Sequence, residues 1–138
     1  MRAALAICAL AAVALSCSAC GVSAADLFLI TRSGEGQHAH LTLLVDEEGG
    51  VTCNGHTASR KLDDAQIKDA REILEELEKP SSSHLSLPPR RGSVLSYYVR
   101  DEKGTVSFSD NSAGQPVALH KLQLFVLQTA QEVCHLSS

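Results

Sequence analysis

From Asp26 onward the apolar positions fall into two rhythms, one of two residues and one of three to four. Asp26-Leu27-Phe28-Leu29-Ile30-Thr31 is a short apolar run closed by the turn-forming cluster Arg32-Ser33-Gly34-Glu35-Gly36, and it reads as a buried strand. Over residues 40–45, Leu41, Leu43 and Val45 share one side while Thr42 and Leu44 share the other, which is the period of a strand. Glu47-Glu48-Gly49-Gly50 predicts a turn, and Val51-Thr52-Cys53 resumes the alternation with Cys53 on the side of Val51. Residues 54–60 read as polar loop.

The rhythm then lengthens. Ile67, Ala70, Ile73, Leu74 and Leu77 recur at helical spacing, and Asp63 with Gln66 three positions later forms a capping box, so a helix starts at Asp63 or Asp64. Pro80 is expected to end it. Residues 80–93 form a long connector, stiffened at Pro88-Pro89. Residues 94–100 alternate again, a turn falls at Asp101-Glu102-Lys103-Gly104, and Thr105-Val106-Ser107-Phe108-Ser109 completes a second hairpin. A second helix begins near Pro116 and runs to about His135. Its stripe is Leu119, Leu122, Val126, Ala130 and Val133, widened by Leu127 and Cys134, with Leu124 and Phe125 outside it as a contact surface.

The order βββ-α-ββ-α predicts an α+β domain: one antiparallel sheet with both helices packed on one face. The acidic residues of the first helix read as its solvated side.

Residues ahead of Asp26 follow a different pattern. Met1-Arg2 carries one positive charge, residues 3–15 carry none, and Ser16-Cys17-Ser18-Ala19-Cys20-Gly21 follows, the layout of a secretory signal peptide. The apolar stretch is shorter than the about 20 residues of a bilayer-spanning helix. Cys20, with small residues before it and Gly21 after it, resembles the lipobox at which bacterial lipoproteins are processed. This divides the chain into a leader over 1–19, a lipidated tether over 20–26 and a domain over 27–138. Cys17 is the alternative lipid attachment site, and cleavage after Ala24 or Ala25 would instead release a secreted protein.

Whole-chain numbers narrow the classes further. The 138 residues carry a net charge of −4, and loss of Arg2 with the leader makes the remainder more acidic. Such a domain has no electrostatic reason to seek nucleic acid or anionic headgroups. With no Trp, two Tyr and three Phe, small aliphatic side chains must build most of the core. Cys8 and Cys17 fall in the leader, so Cys53 and Cys134 remain to pair in an oxidising compartment.

Candidate chemistry is sparse. The chain has no glycine-rich phosphate loop, GxSxG elbow, HExxH helix or paired CxxC, and no cofactor is implied. His38 and His40 would share a strand face, and with His56 and a carboxylate from Asp46 or Glu47 they could hold a divalent ion or serve an uncatalogued hydrolase. The exposed stretch Leu85-Ser86-Leu87-Pro88-Pro89-Arg90-Arg91 could enter a protease cleft as a substrate mimic. In general style the chain is similar to small secreted inhibitors of bacterial subtilisins. Those carry two disulfides, one flanking the reactive loop, whereas a Cys53–Cys134 bond leaves this loop unclamped.

The leader, Cys20-Gly21, Leu41-Thr42-Leu43-Leu44-Val45, Gly50-Val51-Thr52-Cys53-Asn54-Gly55, Leu87-Pro88-Pro89 and Val106-Ser107-Phe108-Ser109-Asp110 together resemble small lipoproteins of high-GC Gram-positive bacteria. That resemblance implies export and anchoring to the outer face of the cell membrane, and no activity. The sequence therefore leads to a non-enzymatic tethered domain that binds an envelope protein or a small ligand.

Overall fold

The computed structural model describes residues 25–136, so the leader and the lipidation candidates Cys20 and Cys17 lie outside the described residues. Within them, β1 (Asp26–Gly34), β2 (Leu41–Asp46), β3 (Val51–Cys53), β4 (His56–Thr57), β5 (Leu95–Asp101) and β6 (Thr105–Ser109) form one sheet. Its order is β4-β3-β2-β1-β5-β6 and every neighbouring pair is antiparallel. Two helices, α1 (Asp64–Ser82) and α2 (Val117–Glu132), complete the two-layer α+β architecture that the hydrophobic pattern predicts. None of these helices is long and apolar enough to cross a membrane.

The first strand of the chain is the middle of the sheet. β1 pairs with β2 on one side and with β5 on the other, because α1 carries the chain back across the sheet before the second hairpin forms. Cross-strand registers then put Phe28, Ile30 and Arg32 on one face with Val45, Leu43 and Leu41 of β2 and with Asp101, Val99 and Tyr97 of β5. Phe28, Ile30, Leu43, Val45 and Val99 have no exposure at all. At roughly 1.5–3 kcal/mol for each buried side chain of this size, this face is the main driving force of the fold.

β1 is longer than its apolar run suggests. It begins at Asp26, inside the expected tether, and continues through Arg32 to Gly34 where a turn is expected. β4 is likewise an addition: Thr57 and His56 pair with Thr52 and Cys53 inside the predicted loop. The turn before β3 depends on Gly49, whose φ of +81° suits glycine and where a Cβ would lie 2.6 Å from the Ile67 side chain of α1.

α1 starts at the predicted capping box, with Asp63 accepting from the Gln66 amide and Gln66 reaching back to the Asp63 amide. It does not stop at Pro80. Proline there forgoes only one hydrogen bond near the end of the helix, and the helix runs on to Ser82, whose neighbour Ser83 donates to the Lys79 carbonyl. The extra residues have a buried partner: the Ser81 hydroxyl donates to the Asp101 carboxylate. Asp101 in turn accepts from the Lys103 and Gly104 amides, so one carboxylate joins the end of α1 to the β5–β6 turn.

α2 reaches the sheet through Phe125, which meets Phe28 edge-on at 5.8 Å between ring centres. Its C-terminal end is stapled by the Cys53–Cys134 disulfide, which spans 81 positions with its Cα atoms 5.9 Å apart. α2 ends at Glu132, short of the predicted His135, so Cys134 sits in a tail that folds back through its own amide to the Thr129 carbonyl. On the outside, Lys121 of α2 is shared by Glu72 and Glu76 of α1 at 2.7 and 2.6 Å. Hydrogen bonds to these two carboxylates hold the lysine well above its ordinary pKa.

Reducing the disulfide, or replacing both cysteines by serine, is expected to lower the unfolding free energy by about 2–5 kcal/mol in urea titrations. An unchanged midpoint would show that the staple contributes nothing.

Candidate functional site

Arg32 is where the sheet stops being purely hydrophobic. It follows Phe28 and Ile30 on the buried face, so strand alternation drives its side chain inward, and only 8% of it is exposed. Its Nη2 donates to the His38 carbonyl at 2.7 Å and its Nε to the Ala39 carbonyl at 3.2 Å. Both acceptors belong to the segment linking β1 to β2. Tyr97 lies beside it on β5, stacked on Phe108 with ring centres 5.0 Å apart. Burial pushes the Tyr97 hydroxyl above its ordinary pKa, while the neighbouring guanidinium pulls it the other way. No carboxylate of the described residues lies within ion-pair reach of Arg32.

Arg32 lines a cleft of about 580 Å³. Buried Arg32, Ala39 and Ala130 make its inner wall, and exposed Glu35, Gln37, His38, Leu127 and Gln131 make its rim, with Leu95 and Leu136 between. The volume falls within the roughly 300–1,000 Å³ of small-molecule sites. Three elements build it: the β1–β2 turn, the start of β5, and the last turns of α2 with the tail that the disulfide holds in place. Sequence reasoning places Arg32 in a turn and misses it. The available signal is its place two residues beyond Ile30 in an alternating run.

The stretch over 85–91 is less free than its composition suggests. Leu85 and Leu87 bond the backbone of Ser107, with Ser86 in a parallel bridge that covers the outer edge of β6. Buried Ser112 donates to the Leu87 and Pro88 carbonyls. The Asn111 side chain accepts from the Arg90 amide and donates to the Arg90 and Arg91 carbonyls. Pro88, Pro89, Arg90 and Arg91 remain exposed, and Leu87 is half-buried. Asp110 anchors the return into β5: burial alone would raise its carboxyl, but bonds from Ser93, Val94, Leu95 and Asn111 outweigh that and hold it below its ordinary value.

The contact surface expected at Leu124 and Phe125 is half corrected. Leu124 is 55% exposed, but Phe125 is 5% exposed and belongs to the core. The buried face of α2 is wide because the helix meets the sheet at Phe28 through Phe125 and packs on α1 as well: Ala118, Leu122, Phe125 and Thr129 form a second row at helical spacing beside Leu119, Val126 and Ala130. Leu127, expected to widen the core stripe, is 42% exposed instead. Between the helices, Leu124, Phe125 and Lys121 border a smaller cavity of about 220 Å³.

The histidines are also placed differently. His38 and His40 precede β2 instead of sharing a strand face, and His56 lies in β4 at the sheet edge. Among the described residues no three His, Cys, Asp or Glu side chains gather as a metal site. His38 serves the cleft through its backbone carbonyl.

No family model, curated protein or solved structure matches this chain.

Two neighbours on α2 should respond in opposite ways. Phe125→Ala is expected to cost about 3–5 kcal/mol of stability, and Leu124→Asp to stay within about 0.5 kcal/mol of the parent. Chemical unfolding of both variants checks this; equal losses would place Leu124 in the core as well.

Proposed function

We propose that this chain is an exported lipoprotein domain, anchored by Cys20 to the outer face of the cell membrane, that binds a ligand and performs no catalysis. The Cys53–Cys134 disulfide carries the reading. Disulfides persist where thiols are not kept reduced, which agrees with the signal-peptide layout ahead of Asp26. The lipobox-like Cys20-Gly21 supplies the tether, with Cys17 as the alternative attachment point. Binding is supported by the Arg32 cleft, which sets a fixed cation among apolar walls on a rigid sheet.

The intact mass of the protein, extracted from its own membranes without reductant, tests this. The expected value is that of residues 20–138 plus a diacylglyceryl group and a further acyl chain, less two hydrogens. A bare mass beginning at Ala25 or Asp26 overturns the tether and leaves a diffusing secreted protein.

One observation favours a second reading, protease inhibition through the loop over 85–91. Asn111 fixes the backbone of Arg90 and Arg91 from below while Pro88 to Arg91 stay exposed, so the loop is held in one shape without a disulfide of its own. Inhibition of a protease panel should fall when Arg90 and Arg91 both become Ala. Unchanged inhibition, or none by the parent chain, ends this reading.

A further inference from the structure

A buried guanidinium has five N–H donors; Arg32 gives two of them to the His38 and Ala39 carbonyls and also bonds the Tyr97 hydroxyl, which leaves donors to spare. Neutral carbonyls satisfy hydrogen bonds but do not cancel the charge. Buried charges are ordinarily paired, because an unpaired ion in a low-dielectric setting is costly. No described carboxylate supplies that pairing, and the side chain borders a cleft with room for a guest. The remaining walls set the rest of the guest's chemistry. Leu95, Leu127, Ala130 and Leu136 offer apolar surface, and Leu127 leaves that surface unusually open to water. Glu35 at the rim disfavours a second negative charge.

We propose that the Arg32 cleft binds an amphipathic monoanion: an apolar chain that ends in one carboxylate. The flat guanidinium fork matches the two oxygens of a carboxylate, and the two backbone carbonyls that grip Arg32 hold the fork still before the ligand arrives. The apolar chain lies along α2 between Leu127 and Leu136. Both a free fatty acid and a peptide C-terminus that ends in an aliphatic residue carry this chemistry. The inference deepens the binding reading above and is independent of the tether, which the mass measurement tests separately.

The experiment is a calorimetric titration of the mature protein, recovered from its own cells, with octanoate and with 1-octanol, each corrected against a blank of the same buffer and detergent. Octanoate is expected to bind one to one and at least about tenfold tighter than the alcohol. Arg32→Gln should weaken octanoate by about tenfold or more. Leu127→Asp, at an exposed wall position where folding is not at stake, should do the same. Acetyl-Ala-Leu with a free carboxylate, compared with its amide, distinguishes the sources: binding of the peptide acid alone assigns the site to a peptide terminus, and of octanoate alone to a fatty acid. The proposal is overturned if neither acid binds, if the acid that binds does so no tighter than its own neutral counterpart (octanol or the peptide amide), or if a folded Arg32→Gln or Leu127→Asp leaves the affinity of that acid unchanged. Where Arg32→Gln fails to fold, the alcohol comparison and Leu127→Asp decide.

Discussion

Phe28 and Ile30 project from the middle strand of the sheet into complete burial, and both helices must lie on that side to cover them. Most of the remaining architecture follows from this constraint. β1 can be central only if the chain forms strands on one side of it, crosses through α1, and returns to pair on the other side. The partners of Phe28 and Ile30, namely Val45, Leu43 and Val99, then face the same way, and Phe125 of α2 meets Phe28 in the layer above. A shift of one residue in β1 would turn the whole row toward water, so burial of this face also sets the register.

The same alternation that buries Phe28 and Ile30 carries Arg32 inward on the next step. A core position occupied by a cation invites destabilisation, and the segment before β2 answers it by turning two carbonyls onto the guanidinium. That solution differs from a buried ion pair. It satisfies donors while leaving the cation without a carboxylate partner among the described residues, and a group held this way is prepared for an anion from outside. Core and cleft are therefore parts of one strand: the apolar residues drive folding, and Arg32 at the other end lines the cleft between the β1–β2 turn and α2.

Polar side chains organise the parts that hydrophobic burial does not reach. Asp101 joins the end of α1 to the β5–β6 turn, while Asn111 and Ser112 hold the backbone of the 85–91 stretch. Apart from the Ser81–Asp101 bond between side chains, these links replace regular secondary structure with side-chain bonds to backbone, and those of Asn111 and Ser112 let a segment rich in serine and proline run in a definite path. The result covers the outer edge of β6 and leaves that side of the sheet unavailable to a further strand.

Local patterning was enough for much of this protein. The alternation at Leu41, Leu43 and Val45, the capping box at Asp63 and Gln66, and the stripe through Ile67, Ala70, Ile73 and Leu77 are read from neighbours in the chain, and the structure keeps them all. The two leftover cysteines pair as their placement in the chain suggested. What local pattern could not convey is which surfaces meet. Phe125 and Leu127 exchange places because α2 packs on the sheet and on α1 together, which widens and rotates its buried face. Pro80 stays helical because Ser81 finds a buried acceptor across the fold, and Arg32 enters a strand because β2 and β5 both extend to pair with it. The sequence by itself determined the two helices, the five main strands and the staple, though not β4 or the ends of the elements, since those five strands and two helices depend on the periodicity and chemistry of nearby residues. Only the tertiary structure decided which side chains became core, rim or cleft, because burial is a property of two surfaces and the chain states them one at a time.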